Sequence, residues 1–323
     1  MHTNWHGKPY YSVDAYLKNT YGEKYYKIAL DGGFSCPNRD GRAGSGGCIF
    51  CSAGGSGDFA VNAGPDSIED QLQAGRRLFG DKKTGTHFIA YFQAYTGTYA
   101  PIAYLRDIYT AALKQPEIGG ISIATRPDCL PDEVLALLTE LKAAYPRKFI
   151  WIELGLQTIH EKTAAFCNRG YALPVFDKAI KKLDALAIPT IVHVILGLPG
   201  ETPEMMYETC SYLNHTPAFG IKLQLLHVLK DTALGEAYLS GGLSDFEVLS
   251  QQKYTDILIH CLEILRPDMV VHRLTGDGPK NITIAPLWSL NKRNVLNTLH
   301  AAMKQRDTYQ GRCYHDAGCT HTL

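Results

Sequence analysis

Short apolar runs of strand length alternate with longer segments of helical periodicity along most of this chain. The predicted strands cover residues 27–31, 87–92, 121–125, 150–156, 190–197, 221–229 and 269–274. The predicted helices cover residues 67–80, 102–115, 132–144, 160–167 with 174–186, 203–213, 245–265 and 290–305. This alternation favours parallel strands joined by right-handed crossovers. We therefore predict an α/β fold, a partial (β/α)6 TIM-like barrel with a C-terminal extension.

The same pattern divides the chain into three parts. We predict an N-terminal segment at 1–25, a barrel at 26–235 and an extension at 236–323 that lies on the substrate side. Two interpretations of the aromatic and lysine-rich N-terminal segment stay open. It packs across the end of the barrel, or it forms a stacking platform for nucleic acid. The tail at 311–321 holds zinc-capable residue types in no strong zinc spacing, so we expect a disordered end.

Composition and charge narrow the classes of function. The 323 residues are 45% hydrophobic and 20% charged, which is ordinary for a globular protein. No apolar run approaches the roughly 18 residues of a membrane span, and the first residues lack the apolar core of a signal peptide. Nine cysteines, mostly scattered, favour a reducing cytoplasm over a disulfide framework. A net charge of zero leaves room only for a local basic face toward nucleic acid.

Three cysteines stand together in a glycine-rich loop after the first strand. Cys36, Cys48 and Cys51 have the spacing Cys-x11-Cys-x2-Cys, and Phe50 precedes the last of them. Neighbouring thiolates suit a soft metal, but a structural zinc site takes four ligands and this loop offers no fourth Cys or His. An iron–sulfur cluster on three thiolates leaves one iron open. A zinc knuckle and unrelated free thiols remain the alternatives.

This loop resembles the cluster loop of radical S-adenosylmethionine (radical SAM) enzymes. The long first gap is typical of their elongator-catalytic-subunit-like branch, and Asp31-Gly-Gly-Phe-Ser-Cys-Pro-Asn-Arg-Asp-Gly41 resembles its YhcC/YtqA-type subgroup. The resemblance implies a [4Fe–4S] cluster on the three cysteines, with SAM bound to the open iron through its amino and carboxylate groups. It also implies that an electron from the cluster breaks the S–C5′ bond and gives a 5′-deoxyadenosyl radical.

The expected SAM contacts lie at the carboxyl ends of the strands, where barrels of parallel strands carry their chemistry. Gln93 and Thr96 occupy the place of the family's Gly-Gly-Glu motif, although this chain has no Glu there, and a simple strand-to-loop turn is the alternative. Thr125 stands where the family touches the ribose or carboxylate of SAM. The full set that the resemblance implies is Phe50, Gln93, Thr96, Thr125, Gln157, Arg169, His193, Ile195 and Gly197.

The fourth strand places polar residues on one face of a strand that is otherwise buried. Alternation puts Glu153 and Gln157 on the same face, and unpaired polar groups there are costly. A barrel lumen that holds a polar ligand explains them. The resemblance assigns Gln157 to the SAM ribose and Arg169 to its carboxylate. For Arg169 the alternative is a surface ion pair.

The fifth strand ends in Gly197-Leu-Pro-Gly-Glu201, which resembles a family motif. The resemblance implies that Ile195 packs on the adenine of SAM, that Gly197 lets the backbone approach the ring, and that His193 reaches the ribose. A satisfied core histidine is the alternative for His193. The substrate contacts that we expect are Lys222, Gln224, His227, Arg273 and Lys280, with structural roles as the alternative.

The chain is therefore predicted to be a radical SAM enzyme that acts on a macromolecule. The expected target is the wobble-uridine side chain of tRNA, because relatives in this branch act there. A radical SAM enzyme for a small metabolite or a protein is the second hypothesis. A non-catalytic iron–sulfur or zinc protein is the third. We expect an electron donor such as flavodoxin or ferredoxin, no membrane partner and a cytoplasmic location.

Overall fold

One curled parallel sheet organises the fold. The computed structural model describes residues 3–55, 67–80, 85–243, 246–276 and 278–314. The strands are β1 (Tyr26–Leu30), β2 (Phe88–Phe92), β3 (Ile118–Thr125), β4 (Phe149–Gln157), β5 (Thr190–Leu196), β6 (Gly220–Leu225), β7 (Val228–Leu229), β8 (Val270–Arg273) and β9 (Thr283–Ala285). The main sheet has the order β1-β2-β3-β4-β5-β6-β8, and all neighbouring strands in it are parallel. The predicted α/β partial barrel is confirmed, and the seventh strand extends it.

Helices connect these strands. They are α1 (Val13–Tyr21), α2 (Ile68–Arg77), α3 (Ile102–Lys114), α4 (Asp132–Ala144), α5 (Glu161–Phe166), α6 (Leu173–Ala185), α7 (Pro203–Leu213), α8 (Ala233–Leu239), α9 (Gln251–Ile264) and α10 (Lys292–Gln305). Polar caps start several of them: Ser67 Oγ accepts from the backbone N–H of Asp70, and Thr202 Oγ1 accepts from that of Met205. Ile152 and Leu154 of β4 share the main core with Leu138 and Phe176 of the helices. Among the described residues, no helix is long and apolar enough to cross a membrane.

The elements differ from the predicted ones at several positions. The sixth predicted strand, 221–229, is broken after Leu225, and β7 leaves the main sheet to pair antiparallel with β9. The helix predicted at 245–265 begins only at Gln251, after its N-cap Ser250. The sequence pattern also missed α1, α8 and β9. The predicted disordered end at 311–321 lies, from residue 315 onward, outside the described residues.

Helix α1 lies across the amino-terminal end of the barrel. The backbone N–H of Val271 in β8 donates to Tyr11 O over 2.8 Å, so the chain before α1 borders the edge strand of the sheet. The ring of Tyr16 packs against Phe219 and Trp151, with centroid distances of 4.8 and 6.1 Å. Leu17 is buried in the same cluster. This end of the lumen is therefore filled by apolar side chains, and the described strands open toward the opposite end.

Candidate cluster and SAM site

A cavity at the carboxyl ends of the strands is lined by all three cysteines of the loop. Cys36, Cys48 and Cys51 form no disulfide, and all three line one space of about 920 Å³, a volume that includes open solvent at its mouth. The backbone N–H of Ile49 donates to Cys167 O over 3.1 Å, and Arg39 donates to Cys51 O over 2.9 Å. These contacts fasten the loop over the strand ends, so the three thiols are brought together.

The donor set fits an iron–sulfur cluster. Among the described residues, no three His, Cys, Asp or Glu side chains are placed to hold one metal ion. The cysteines that hold an iron–sulfur cluster lie farther apart than the ligands of a single metal ion, because each cysteine binds a different iron. Burial, and then the neighbouring Cys51, raise the pKa of the Cys48 thiol to about 12 in the metal-free chain. Bound metal supplies the positive charge that keeps such thiols deprotonated. Cys36, Cys48 and Cys51 are thus the residues that would hold the cluster.

A buried charge network forms the floor of this cavity. Glu153 in β4 has a fully buried side chain that pairs with Lys27 of β1 and Lys222 of β6. His193 Nε2 lies 2.7 Å from Glu153 Oε2, and Ser122 Oγ donates to Glu153 Oε1 over 2.6 Å. Burial alone raises the pKa of Glu153, but the charges of Lys222 and Lys27 outweigh it and hold the pKa well below its usual range. We call Lys27, Ser122, Glu153, His193 and Lys222 the lumen network.

The lumen network changes two interpretations of the sequence. From the sequence alone, the polar face of β4 suggests a bound polar ligand. In the structure, the partners of Glu153 are side chains of the protein itself. Lys222, an expected substrate contact, is only 2% exposed, pairs with Glu153, and donates from its ammonium group to Tyr91 Oη over 3.0 Å. Among the described residues that line the cavity, Glu153 and His193 appear but Lys222 does not. These contacts support a structural role for Lys222, and its contact with the substrate stays a prediction.

Arg169 lines the cavity, yet most of its hydrogen bonds go to the protein. Its Nη1 donates to Leu156 O and Thr158 O over 2.9 and 2.7 Å, and its Nε donates to Tyr171 O over 3.0 Å. Its Nη2 also donates to Glu161 Oε1 over 3.4 Å, so four of the five guanidinium N–H groups already have protein partners. Bidentate binding of the SAM carboxylate by Arg169 stays a prediction. The hydrogen bonds within the protein make it less favourable, because they occupy most of the donors. The alternative, a surface ion pair, is present in part: Arg169 is only 2% exposed, but its Nη2 pairs with the exposed Glu161 over 3.4 Å.

Tyr171 is a site residue that sequence reasoning missed. Its ring is in contact with two guanidinium groups, with the ring centroid 4.9 Å from Arg126 Cζ and 4.7 Å from Arg169 Cζ. Its Oη lies 2.8 Å from Gly155 O and 2.9 Å from Gln157 Oε1. Gln157 has a φ of 63°, which is unusual for a residue other than glycine. Tyr171 therefore fixes the end of β4. In the sequence, its position two residues after Arg169 is the only signal that could have identified it as a site residue.

The remaining predicted residues divide between two adjoining cavities. Phe50, Gln93, Thr96, Thr125, Gln157, Arg169, His193, Gln224 and Arg273 line the cavity of the three cysteines. A second cavity of about 720 Å³ shares Phe50, Cys51, Gln93, Gln224 and Arg273 with it, and adds Ile195 and His227. Lys280 is exposed and lines neither cavity, although its neighbour Pro279 lines the second. Thus most of the predicted set meets at one end of the barrel.

Gly197 lines neither of these two cavities, contrary to expectation. Its φ is 86°, and a Cβ there would come within 2.9 Å of Leu249 Cδ1. Glycine is thus required by the backbone and by Leu249, which is a different reason from close approach to the adenine of SAM.

Replacing Gly197 with Ala is expected to lower the free energy of unfolding by about 1–3 kcal/mol, the usual range for a forced left-handed residue. SAM affinity of the folded protein should stay unchanged. Gly200→Ala is the matched control, because Gly200 has a φ of 80° and a Cβ added there would meet nothing within 4 Å. Urea unfolding should show a larger loss for Gly197. Equal losses, or weaker SAM binding in Gly197→Ala alone, would contradict this explanation.

Acid is expected to destabilise the fold through His193. Burial, and then the charge of Lys222, lower the pKa of His193 to about 4 from 6.5. The unfolded chain therefore takes up a proton below pH 6.5 that the folded chain does not accept until about pH 4. Stability is full above this window and falls as the pH drops through it. In unfolding measured between pH 7 and pH 4, His193→Gln should have a shallower slope; an unchanged slope contradicts the assignment.

A curled parallel half-barrel with three loop cysteines at its mouth has the architecture of radical SAM enzymes. The chain belongs to the radical SAM superfamily, whose model matches residues 39–213, and a model of the radical SAM C-terminal domain matches residues 218–305. The chain is therefore an enzyme, and enzymes of this superfamily use a [4Fe–4S] cluster and SAM.

Relatives of this chain cover nearly all of its length. YtqA of Bacillus subtilis is 44% identical over 307 residues, which cover 95% of this chain and 93% of that protein. YhcC of Escherichia coli K12 is 37% identical and the alignment covers 85% and 86% of the two chains. Among solved structures, the archaeal Elp3 of Methanocaldococcus infernus has a TM-score of 0.65 at 15% identity, covering 92% of this chain and 68% of that one. The last likeness shows the fold.

Proposed function

We propose that this radical SAM enzyme modifies tRNA at the side chain of the wobble uridine. The observation that carries the proposal is a sequence match to a protein named for that nucleotide, together with a match to an elongator subunit. The tRNA uridine(34) acetyltransferase of Methanocaldococcus jannaschii is 23% identical over 167 residues, 51% of this chain and 29% of that protein. Human elongator complex protein 3 is 26% identical over 180 residues, 54% of this chain and 31% of that protein. The match covers less than a third of each of these relatives. It therefore supports a shared radical SAM unit and does not extend to the rest of those proteins.

The two adjoining cavities at the mouth support separate sites for the cofactors and for the substrate. The cavity of the three cysteines would hold the cluster and SAM, with Gln93, Thr96 and Thr125 toward the methionine part. When bound, the cluster supplies the electron that cleaves SAM to a 5′-deoxyadenosyl radical. The second cavity would admit the nucleoside side chain between Gln224, His227 and Arg273. Phe50 lines both spaces and would separate them.

The direct test compares the modified nucleosides of tRNA from cells with and without this protein. We expect a wobble-uridine nucleoside to be lost without it and to return on complementation. Complementation with the Cys51→Ala variant should fail, since that variant lacks a cluster ligand. An identical nucleoside profile in all strains would overturn the proposal and favour a small-metabolite or protein substrate.

The proposal requires a basic surface near the mouth although the net charge is zero. Lys292 and Arg293 begin α10 and are exposed. They follow Ser289, whose Oγ lies 2.9 Å from Nε2 of the cavity residue His227. Lys304 and Arg306 lie at the other end of α10, about 20 Å away at 1.5 Å per residue. Of the expected N-terminal cations, Lys18 pairs with Asp14 over 3.0 Å. The structure thus favours the start of α10 over these other positions.

Replacing Lys292 and Arg293 with Ala is expected to weaken tRNA binding and to lower the slope of log affinity against log salt by about 2, one for each lost phosphate contact. SAM cleavage without tRNA should be unchanged. Lys304→Ala with Arg306→Ala removes the same charge from the far end of the helix and serves as the control. Equal effects of the two double variants on the salt slope would contradict a specific surface at the mouth.

A further inference from the structure

The long loop between Cys36 and Cys48 contains a buried amide that touches a cluster ligand. Asn38 is 0% exposed. Its Nδ2 donates to Asn168 O over 2.6 Å and to Cys48 Sγ over 3.7 Å. Both N–H groups of the amide are therefore directed at acceptors, one in the backbone beyond α5 and one on a predicted ligand of the cluster.

The side chain of Asn168 in turn donates hydrogen bonds to the backbone of the cysteine loop. Its φ is 53°, which turns the chain back between α5 and α6. Its Nδ2 donates to Gly47 O over 2.7 Å and to Ser45 O over 3.2 Å. Two asparagines thus join the cysteine loop to the α5–α6 connection in both directions. We call Asn38 and Asn168 the asparagine pair.

The surroundings fix the orientation of the Asn38 amide. A flipped amide would place its oxygen against two acceptors, Asn168 O and Cys48 Sγ. In the observed orientation Oδ1 faces Gly44 and Gly170, where an added Cβ would come within 2.4 and 2.7 Å of it. Oδ1 is buried and has no hydrogen-bond partner among the described residues. Glycine at both positions leaves just enough room for this amide, so its placement is specific.

We propose that Asn38 is a positioning residue for the iron–sulfur cluster, and that its N–H group stabilises the reduced cluster through Cys48 Sγ. Reduction adds a negative charge that spreads onto the ligand sulfurs. Hydrogen bonds to these sulfurs and solvent exposure are among the factors that set the reduction potential of iron–sulfur clusters. Asn168 holds the loop but donates nothing to a sulfur in the described contacts. The inference needs a cluster on Cys48 and does not depend on the identity of the substrate.

The test is a redox titration of the reconstituted holoenzyme followed by the electron paramagnetic resonance of the reduced cluster. Asn38→Ala should shift the reduction equilibrium toward the oxidised cluster by about tenfold, equivalent to about 59 mV for one electron. Asn168→Gly is the matched control, because glycine keeps the left-handed backbone and removes only the side chain. Its potential should equal that of the wild type. The signal reports loaded molecules alone, so partial loss of cluster leaves the potential measurable.

A second measurement separates the electronic role from the structural one. Arg42 lies in the loop and is exposed, so trypsin cleavage after it reports loop opening. Both Asn38→Ala and Asn168→Gly should be cleaved faster than the wild type, while only Asn38→Ala changes the potential. An unchanged potential in Asn38→Ala would overturn the electronic role. A shift of the same size in Asn168→Gly would also overturn it, because the effect would then follow from loop opening alone.

Discussion

Replacing any one of Cys36, Cys48 or Cys51 with Ala is expected to abolish SAM cleavage. The three thiols line one cavity, and each would bind a different iron. Loss of one ligand leaves a cluster with two protein thiolates, where the usual number is four ligands in all. Iron and sulfide content after anaerobic reconstitution should fall well below four of each per chain, and the formation of 5′-deoxyadenosine should become undetectable.

Cys210 provides the control for this series. It is a free cysteine, fully buried in α7 within the main core and does not line the cavity. Cys210→Ala should therefore keep full iron content and SAM cleavage, at the cost of a small cavity in the core. Full iron content and activity in any one of the three loop variants would show that the missing cysteine is not a ligand.

Replacing Glu153 with Gln is expected to destabilise the fold by about 3–5 kcal/mol, the usual effect of removing one partner from a buried ion pair. Its side chain is fully buried between Lys27 and Lys222. A neutral amide would leave two ammonium groups in the lumen without a counter-charge. Urea unfolding of the cluster-free protein measures the loss, and a large fraction of the variant is expected to be insoluble at 37 °C.

Two further variants separate charge from hydrogen bonding in the lumen network. Ser122→Ala removes one donor to Glu153 and should cost only about 1 kcal/mol. The double variant Glu153→Gln with Lys222→Met removes one of the stranded ammonium groups and should recover part of the stability of Glu153→Gln. A double variant less stable than Glu153→Gln alone would mean that Lys222 stabilises the fold through contacts other than the one with Glu153.

The sequence predicted the barrel because its strands are buried and short. Runs such as 150–156 are apolar on the outer face and bounded by polar residues, so β4 (Phe149–Gln157) was found to within one residue at each end. The break after Leu225 was missed because Leu226, Val228 and Leu229 continue the apolar pattern, with only His227 among them. Only the antiparallel pairing of Val228 with Ala285, far along the chain, turns it into a separate strand.

The candidate site was predicted in its composition more than in its contacts. Alternation placed Glu153 and His193 in the lumen, since period two fixes the face of each residue. It gave no information on which partners meet there, because Lys27 lies 126 residues from Glu153 along the chain. The asparagine pair was missed for the same reason: Asn38 and Asn168 are loop residues without periodicity, 130 positions apart.

The apolar packing of α1 beneath the lumen has a kinetic consequence. Among the described residues, Tyr16 and Leu17 help to fill the amino-terminal end of the barrel. Ligands would therefore enter the cavity through the mouth at the carboxyl ends of the strands. A macromolecule bound over the mouth would block the passage of SAM in either direction. If the substrate is a macromolecule, as we propose, we expect compulsory-order kinetics: SAM binds first, its fragments leave last, and excess substrate added before SAM inhibits turnover.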